Sequence, residues 1–201
     1  MTEESTSEEP TTEEPTTEES TSEEPTTNEP TAKERTHERA LEQGGPPLLR
    51  PSEEFAADAH RILTAERALL TRHGIDGDLV LVGGSSVPGA LTKGDVDLHL
   101  RVPPNEFETV VSACTSLHSV VHAEIWQLTL ATFAVAAPLP TGLAVTPAGS
   151  EHDLRFTRTW QLLADDPQLV AAYNEAKLAG DGAGPGYEQR KSDFFDALLT
   201  R

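Results

Sequence analysis

Two aspartates, Asp95 and Asp97, alternate with the apolar residues Val96 and Leu98 in the middle of the sequence. This period-two pattern predicts a β-strand, on which side chains two positions apart share one face. The strand would hold the two carboxylates about 7 Å apart, where their charges repel each other unless a cation or a proton lies between them. Because hard oxygen ligands suit Mg²⁺ or Mn²⁺, we predict that Asp95 and Asp97 bind a divalent metal and act in catalysis.

A turn of two glycines and two serines, residues 83–86, precedes this strand and follows a short apolar run at residues 79–82. Glycine lets the backbone adopt unusual dihedral angles and lets a ligand approach closely. N–H groups at the start of a turn or helix can face a phosphate. Lys93 could hold a phosphate as a point charge or could be a solvated loop lysine. The predicted phosphate-binding residues are Gly84, Ser85, Ser86 and Lys93.

A phosphate-binding turn followed by a metal-binding aspartate pair is typical of phosphoryl or nucleotidyl transfer, in which the metal neutralises charge on the phosphate oxygens. The chain lacks the Gly-x-x-x-x-Gly-Lys-Ser/Thr loop of kinase-like enzymes. We therefore expect pyrophosphate, not ADP, as a product. His99 lies on the same predicted strand face, and we interpret it as the hydrogen-bond partner of an aspartate rather than as a ligand.

The order of Gly84-Ser85, a spacer and an Asp-x-Asp strand resembles the signature of the polymerase-beta-like nucleotidyltransferase superfamily. The segment GSSVPGALTK at residues 84–93 is similar, more narrowly, to the GrpB family, which has that superfamily's fold. Six residues near the C-terminus match the family pattern as well: Pro167, Tyr173, Lys177, Tyr187, Lys191 and Phe194. The resemblance spans roughly residues 51–201. It implies Mg²⁺-dependent transfer of a nucleoside monophosphate from an NTP to an unknown acceptor, or alternatively a non-catalytic nucleotide- or phosphate-binding module on the same fold.

The resemblance also implies a third carboxylate on a later strand, which would act as a base or complete a second metal site. Glu124, Glu151 and Asp153 are the candidates, and the sequence does not choose among them. The chain departs from the family at residues 143–146, because the strand before the C-terminal helices usually carries histidines and here has none.

The apolar patterns predict an α/β (α+β) fold, with a small mixed sheet of nucleotidyltransferase type flanked by helices and followed by a C-terminal helical segment. Ser52 and Asn105 are predicted to cap the first two helices, and residues 128–136 are predicted to form a strand buried on both faces. Lys177 and Lys191 lie beside apolar helix faces, which favours solvated amines over phosphate ligands. The aromatic residues predicted in the core are Trp126, Trp160, Tyr173, Phe194 and Phe195.

Most of the net charge of −19 comes from residues 1–30, which contain eleven Glu and no Lys or Arg. We predict a disordered acidic tail and linker over residues 1–50 and one folded domain over residues 51–201. A single cysteine, Cys114, excludes an internal disulfide and favours the cytoplasm. No segment approaches the ~18 apolar residues of a membrane span, and the absence of a basic run predicts no nucleic-acid partner. The expected partners are a nucleotide and its acceptor, and the oligomeric state stays open.

Overall fold

The computed structural model of the chain describes residues 48–179 and 185–200, so most of the predicted acidic tail and linker lies outside the described residues. The strands in this part are β1 Arg50–Pro51, β2 Asp78–Val82, β3 Leu91–Thr92, β4 Val96–Val102, β5 Ser119–Val120, β6 Ala131–Val135 and β7 Thr141–Pro147. Five of them form one sheet in the order β2–β4–β7–β6–β5, and β1 pairs with β3 in a separate two-stranded ribbon.

The predicted Asp-x-Asp strand, β4, lies inside this sheet. It pairs antiparallel with β2 and parallel with β7, while β6 pairs antiparallel with both β7 and β5. The register sets Val82 of β2 on one side of Asp97 and Gly142 of β7 on the other. The sheet is therefore mixed, as predicted, and Asp97 has a neighbouring strand on each side.

Helices flank the sheet and form the C-terminal segment, which confirms the predicted fold class. They are α1 Ala56–Arg72, α2 Phe107–Leu117, α3 Glu151–Asp165, α4 Pro167–Leu178 and α5 Pro185–Leu199. The main core joins buried residues of α1 and α2 to one face of the sheet, to which β4 contributes Val96, Leu98, Leu100 and Val102. None of the helices in the described part of the chain is long and apolar enough to cross a membrane.

A second core lies among α3, α4 and α5, and the loop after the glycine–serine turn inserts into it. Val87 and Ala90 of this loop are buried together with Leu163, Val170 and Leu198. This contact fixes the turn against the C-terminal helices. The aromatic prediction is confirmed, because four rings pack here and the fifth lies against the main core: Trp160, Tyr173, Phe194, Phe195 and, separately, Trp126.

Both predicted helix caps are wrong. Ser52 starts a short 3₁₀ turn and is buried, and its hydroxyl donates a hydrogen bond to the carbonyl of Val87 at 2.7 Å. The first α-helix begins only at Ala56, and no side chain caps it. Asn105 likewise precedes the flanking residue Glu106 of α2, which has no side-chain cap bond. Ser52 thus ties the start of the domain to the loop beyond the glycine–serine turn.

The predicted strand at residues 128–136 is shorter than expected. Its first three residues belong to a turn closed by a bridge between Gln127 and Leu130, and the strand itself is β6. Leu128 is 90% exposed, so the prediction of burial on both faces fails at this end. A run of apolar residues does not by itself show where a turn begins.

Candidate functional site

The glycine–serine turn leaves β2 directly beside the carboxylate of Asp97. Gly83 has a φ of +76°, a region that favours glycine, and residues 84–86 then form a single 3₁₀ turn. A Cβ atom at Gly83 would lie 2.0 Å from Oδ2 of Asp97. The hydroxyl of Ser86 donates to the carbonyl of Gly83 at 2.7 Å and so closes the turn. Glycine is therefore required here for both conformation and space.

Hydroxyl groups connect this turn to Asp95. Asp95 is exposed and lies one residue before β4, whereas Asp97 lies in the strand and is partly exposed. Thr92 Oγ1 donates to Asp95 Oδ1 at 3.1 Å. The buried hydroxyl of Ser85 lies 3.1 Å from Thr92 Oγ1 and donates to the main-chain carbonyl of Asp95. The structure thus brings the predicted turn and the predicted metal ligands together, and the Ser85 hydroxyl holds the loop.

Lys177 lies at the turn, contrary to the sequence-based expectation of a solvated amine. Its side chain is buried, with 3% of the residue exposed. The amine donates to the carbonyl of Leu91 and lies 4.3 Å from the centre of the Tyr173 ring. A Cβ atom added at Gly84 would lie 3.0 Å from Lys177 Nζ. A lysine from the C-terminal helices therefore contacts the turn that was predicted to bind phosphate.

The amine of Lys177 sits among the other charges of the site. The pKa of Lys177 is lowered to about 8, chiefly by burial and also by the positive charges of Lys191 and Lys93. The carboxylates of Asp95 and Asp97 act in the opposite direction. Lys93 itself is exposed between β3 and β4. Three lysines and two aspartates therefore share one electrostatic environment.

Asn174, which sequence reasoning missed, holds the loop between the turn and β4. Its Nδ2 donates to the carbonyl of Gly89 at 2.9 Å, and its Oδ1 accepts the N–H of Leu91 at 2.8 Å. Asn174 lies three residues before Lys177, so one side of α4 contacts both the loop and the turn. The sequence held one signal that this side of α4 faces the domain, the Tyr-x-x-x-Lys spacing from Tyr173 to Lys177. Residues four apart share a helix face, so the lysine lies on the same side as the core tyrosine.

No third carboxylate stands opposite the aspartate pair on the neighbouring strand. In the register of β7, Gly142 lies beside Asp97 and Ala144 lies beside His99. A Cβ atom at Gly142 would lie 3.8 Å from Asp97 Oδ1. Within residues 48–179 and 185–200, no group of three or more His, Cys, Asp and Glu side chains could hold a metal.

The three candidate residues for that role all lie elsewhere. Glu124 is exposed beyond β5, at the far edge of the sheet, and pairs with His122 at 3.3 Å. Glu151 is exposed at the start of α3. Asp153 is fully buried and accepts a hydrogen bond from Arg101 Nε at 2.5 Å, four residues along β4 from Asp97. None of them is placed with the aspartate pair.

The hydrogen-bond partner of His99 is a threonine hydroxyl, so the prediction of an aspartate partner is wrong. His99 is fully buried, with Nε2 2.7 Å from Thr146 Oγ1 and 3.9 Å from Asp153 Oδ1. Burial lowers the pKa of His99 to about 4, so the ring is neutral at pH 7. His99 is therefore part of the interior of the domain.

The residues present fit a magnesium ion that arrives with its nucleotide. Gly83 and Gly142 leave space around the carboxylate of Asp97 because neither carries a Cβ atom. Mg²⁺ in nucleotide sites is commonly held by one or two carboxylates together with substrate phosphates and water. Two carboxylates beside the glycine–serine turn match that arrangement, in which Asp95 and Asp97 would be the protein ligands.

Comparison with known proteins agrees with this architecture. No family model matches the chain. The chain is 28% identical over 126 residues to a UPF0157 protein of Vibrio cholerae, across 62% of this chain and 66%, just under two thirds, of that protein. Its structure is similar to GrpB from Enterococcus faecalis, with a TM-score of 0.52 and 10% identity over 76% of this chain and 99% of that one. The resemblance to GrpB is confirmed.

At 10% identity, the similarity to GrpB is one of fold. A lower similarity joins the chain to the Cid1 poly(U) polymerase, with a TM-score of 0.46 and 14% identity over 72% of this chain and 45% of that one. This second likeness is too low to carry any property across. The roles of the predicted site residues therefore depend on their geometry in this chain.

Proposed function

We propose that the chain is a nucleotidyltransferase that binds an NTP with Mg²⁺ through Asp95 and Asp97 and moves the nucleoside monophosphate to an acceptor. The observation that carries this proposal is the position of Lys177. The buried ammonium group at Gly84 keeps a pKa lowered to about 8 even with Asp95 and Asp97 nearby, so a further anion at the turn would stabilise its charged form. The phosphates of a nucleotide at the turn would supply that anion, and the aspartates beside the turn would supply the metal ligands.

The expected reaction follows from this arrangement. An oxygen of the acceptor forms a bond to the α-phosphorus of the NTP, the bond from that phosphorus to the pyrophosphate group breaks, and the proton of the acceptor oxygen passes to water. The N–H of Ser86 closes the turn on the carbonyl of Gly83 at 3.1 Å. The N–H groups of Gly84 and Ser85, with Lys177 and Lys93, would hold the departing pyrophosphate. Bound magnesium would neutralise charge on the phosphate oxygens. The products are the modified acceptor and pyrophosphate.

A non-catalytic nucleotide-binding module is the second candidate, and Gly142 favours it. Nucleotidyl transfer gains from a base that accepts the acceptor's proton. The position beside Asp97 on β7, where a carboxylate could act, is glycine. This candidate shares the binding site with the first and differs from it only in turnover.

Titration with each NTP and Mg²⁺, by calorimetry, tests the shared site. Asp97→Asn and Asp95→Asn should each lower NTP affinity at least tenfold while the fold is retained, because metal-bridged phosphates lose a charged ligand. Asp76→Asn is the matched control, since Asp76 is exposed and precedes β2 at the end of the strand away from Asp97. Equal affinity in all four proteins would place the nucleotide elsewhere.

Incubation with α-labelled NTPs, a divalent metal and a cell extract then separates the two candidates. Label on an acceptor, with pyrophosphate released and both lost in Asp97→Asn, would support transfer. Label that stays on the NTP while NTP binds measurably would support the binding module.

A further inference from the structure

A cavity of about 250 Å³ lies beside the candidate site, between the edge strand β2 and α3. Val82, at the end of β2, lines it and pairs with Asp97 in the sheet, so both side chains lie on the same sheet face. Ser86 and Val87 of the turn line it as well. The cavity therefore adjoins the predicted phosphate-binding turn.

The walls of this cavity combine apolar and polar groups. Val80, Val82 and the indole of Trp160 form apolar walls, and Thr157 and Gln161 of α3 contribute polar groups. The end of the cavity away from the turn is lined by the ion pair of Arg101 and Asp78. Small-molecule sites generally have this composition, with mostly apolar walls and a few polar groups that fix orientation.

The indole of Trp160 is held firmly in place. Its ring centre lies 6.1 Å from that of Tyr173 and 5.4 Å from that of Phe195, both in edge-on contacts. A fixed aromatic surface loses little side-chain freedom when a second ring packs on it. The cavity thus offers a rigid apolar wall on the side of the C-terminal helices.

We propose that this cavity binds the nucleobase of the nucleotide whose phosphates lie at the turn, an inference that rests on the proposed function. A flat heteroaromatic ring is apolar on its faces, which suits Trp160 and the valines of β2. Its edge carries donors and acceptors, and the amide of Gln161 can both donate and accept hydrogen bonds. Ser86 lies between the base and the phosphates.

Filling the cavity tests this assignment. Ala164 is exposed on α3 and lines the cavity, so Ala164→Phe adds a ring there without removing a core contact. Ala172→Phe, at an exposed position of α4, is the matched control for an added surface ring. Both variants and the wild type are titrated with each NTP and with inorganic tripolyphosphate, always with Mg²⁺.

The wild type is expected to bind at least one NTP tenfold or more tightly than tripolyphosphate. Ala164→Phe should reduce that NTP affinity to the tripolyphosphate value and leave tripolyphosphate binding unchanged, and Ala172→Phe should alter neither. Equal wild-type affinities for NTP and tripolyphosphate, or unchanged NTP binding by Ala164→Phe, would overturn the base site alone. Failure of the wild type to bind either ligand would overturn the proposed function and this inference with it.

Gln161→Ala provides a second, milder test, because Gln161 is exposed and its removal leaves the core intact. We expect the ratio of affinities for the preferred and least preferred NTP to fall about fivefold, with tripolyphosphate binding unchanged. In the NMR spectrum of the wild type, the indole N–H signal of Trp160 should shift with NTP and not with tripolyphosphate. An unaltered affinity ratio together with an unmoved Trp160 signal would contradict the assignment.

Discussion

One face of β4 carries three polar residues in alternation, Asp97, His99 and Arg101, yet the two ends of that face differ completely. At the Arg101 end, α3 covers the strand and provides a counter-charge. At the Asp97 end, glycines border the carboxylate and the neighbouring Asp95 is exposed. The first end is part of the interior, whereas the carboxylates of the second end are partly or fully exposed.

The Arg101 end is satisfied by contacts within the protein. Arg101 donates to Asp153 through Nε at 2.5 Å and Nη2 at 3.0 Å, and the N–H of Gly149 donates to the same carboxylate at 2.7 Å. Burial acts to raise the pKa of Asp153, but these hydrogen bonds outweigh it and hold the pKa below its usual value. Asp153 is thus ionised, and it orients Arg101 and faces His99.

At the Asp97 end, the charge near the carboxylates comes from a buried lysine on another helix. The amine of Lys177 reaches the turn from α4. Its pKa is lowered to about 8, so the nearby carboxylates do not offset the whole cost of burying the ammonium group. The comparison indicates that alternating polar residues on a strand acquire their roles from the elements that cover them. The helix α3, with its acidic first turn, covers the Arg101 end of β4 and pairs its charge. Glycines instead border the carboxylate at the Asp97 end.

The largest expected effect is at the Arg101 end. Asp153→Ala should reduce the free energy of unfolding by about 3–5 kcal/mol, because it removes the buried partner of a charged group. Asp78→Ala is the matched control, since Asp78 pairs with the same arginine at 3.2 Å but is 61% exposed in its side chain; it should cost at most about 1 kcal/mol. Urea denaturation measures both, and equal losses would contradict the contrast between the two ends.

The second prediction concerns His99 and acid. Because its folded pKa of about 4 lies below the ordinary 6.5, the unfolded chain binds a proton between these values and the native chain does not. Stability should therefore fall as pH is lowered from 6.5 to 4, by up to about 3 kcal/mol from this group, and this contribution should level off below pH 4. His99→Gln should lack this part of the pH dependence, and parallel stability curves for the two proteins would refute the prediction.

Much of the fold followed from local patterns in the sequence. The period-two alternation of β4, the turn at residues 83–86 and Pro167 at the first position of α4 are short-range signals, and each is confirmed. The predicted helix cap at Ser52 failed because Ser52 bonds to Val87, a residue that is close in space and distant in sequence. Local propensity cannot include such a contact.

Of the candidate site, only the glycine–serine turn and the two aspartates were predictable from the sequence. The turn and the aspartates are near each other in sequence, and the structure brings them together. Lys177 and Asn174 reach the turn from more than eighty residues away, through the packing of α4 on the loop. Long amphipathic side chains beside an apolar helix face are usually solvated, so only the fold shows that Lys177 is buried.

The third prediction compares two glycines with positive φ. Gly83 and Gly149 have φ values of +76° and +81°. Alanine should cost about 1–2 kcal/mol of stability at Gly149 and more at Gly83, whose ψ of −177° belongs to a region that is essentially restricted to glycine. A Cβ atom at Gly83 would overlap the carboxylate of Asp97, whereas one at Gly149 meets nothing within 4 Å. Gly83→Ala should therefore lower Mg²⁺–NTP affinity about tenfold, and Gly149→Ala should leave it within twofold. Equal NTP affinity in both variants would show that Asp97 is not a metal ligand.

An effect of about the same size on binding is expected at Lys177, where methionine removes the charge of the side chain and nearly keeps its volume. Lys177→Met should weaken tripolyphosphate and NTP binding about tenfold, or about 1.4 kcal/mol, because a phosphate loses its buried cation. In the wild type, binding of tripolyphosphate and NTP should weaken as pH rises above 8, because the amine of Lys177 loses its proton. The methionine variant should show no such decline, and Lys93→Met, at an exposed lysine, is the matched control that should retain it.

The same lysine should influence stability in the opposite direction. The ordinary pKa of lysine is 10.5, so between pH 8 and 10.5 the unfolded chain holds a proton on Lys177 that the native chain has released. Wild-type stability should therefore rise with pH across this window relative to Lys177→Met, while NTP affinity falls. Thermal unfolding and calorimetry at matched pH values measure the two trends. If both trends run in the same direction, the amine of Lys177 does not titrate at the turn. A different cation would then have to hold the phosphate at the Asp97 end of β4.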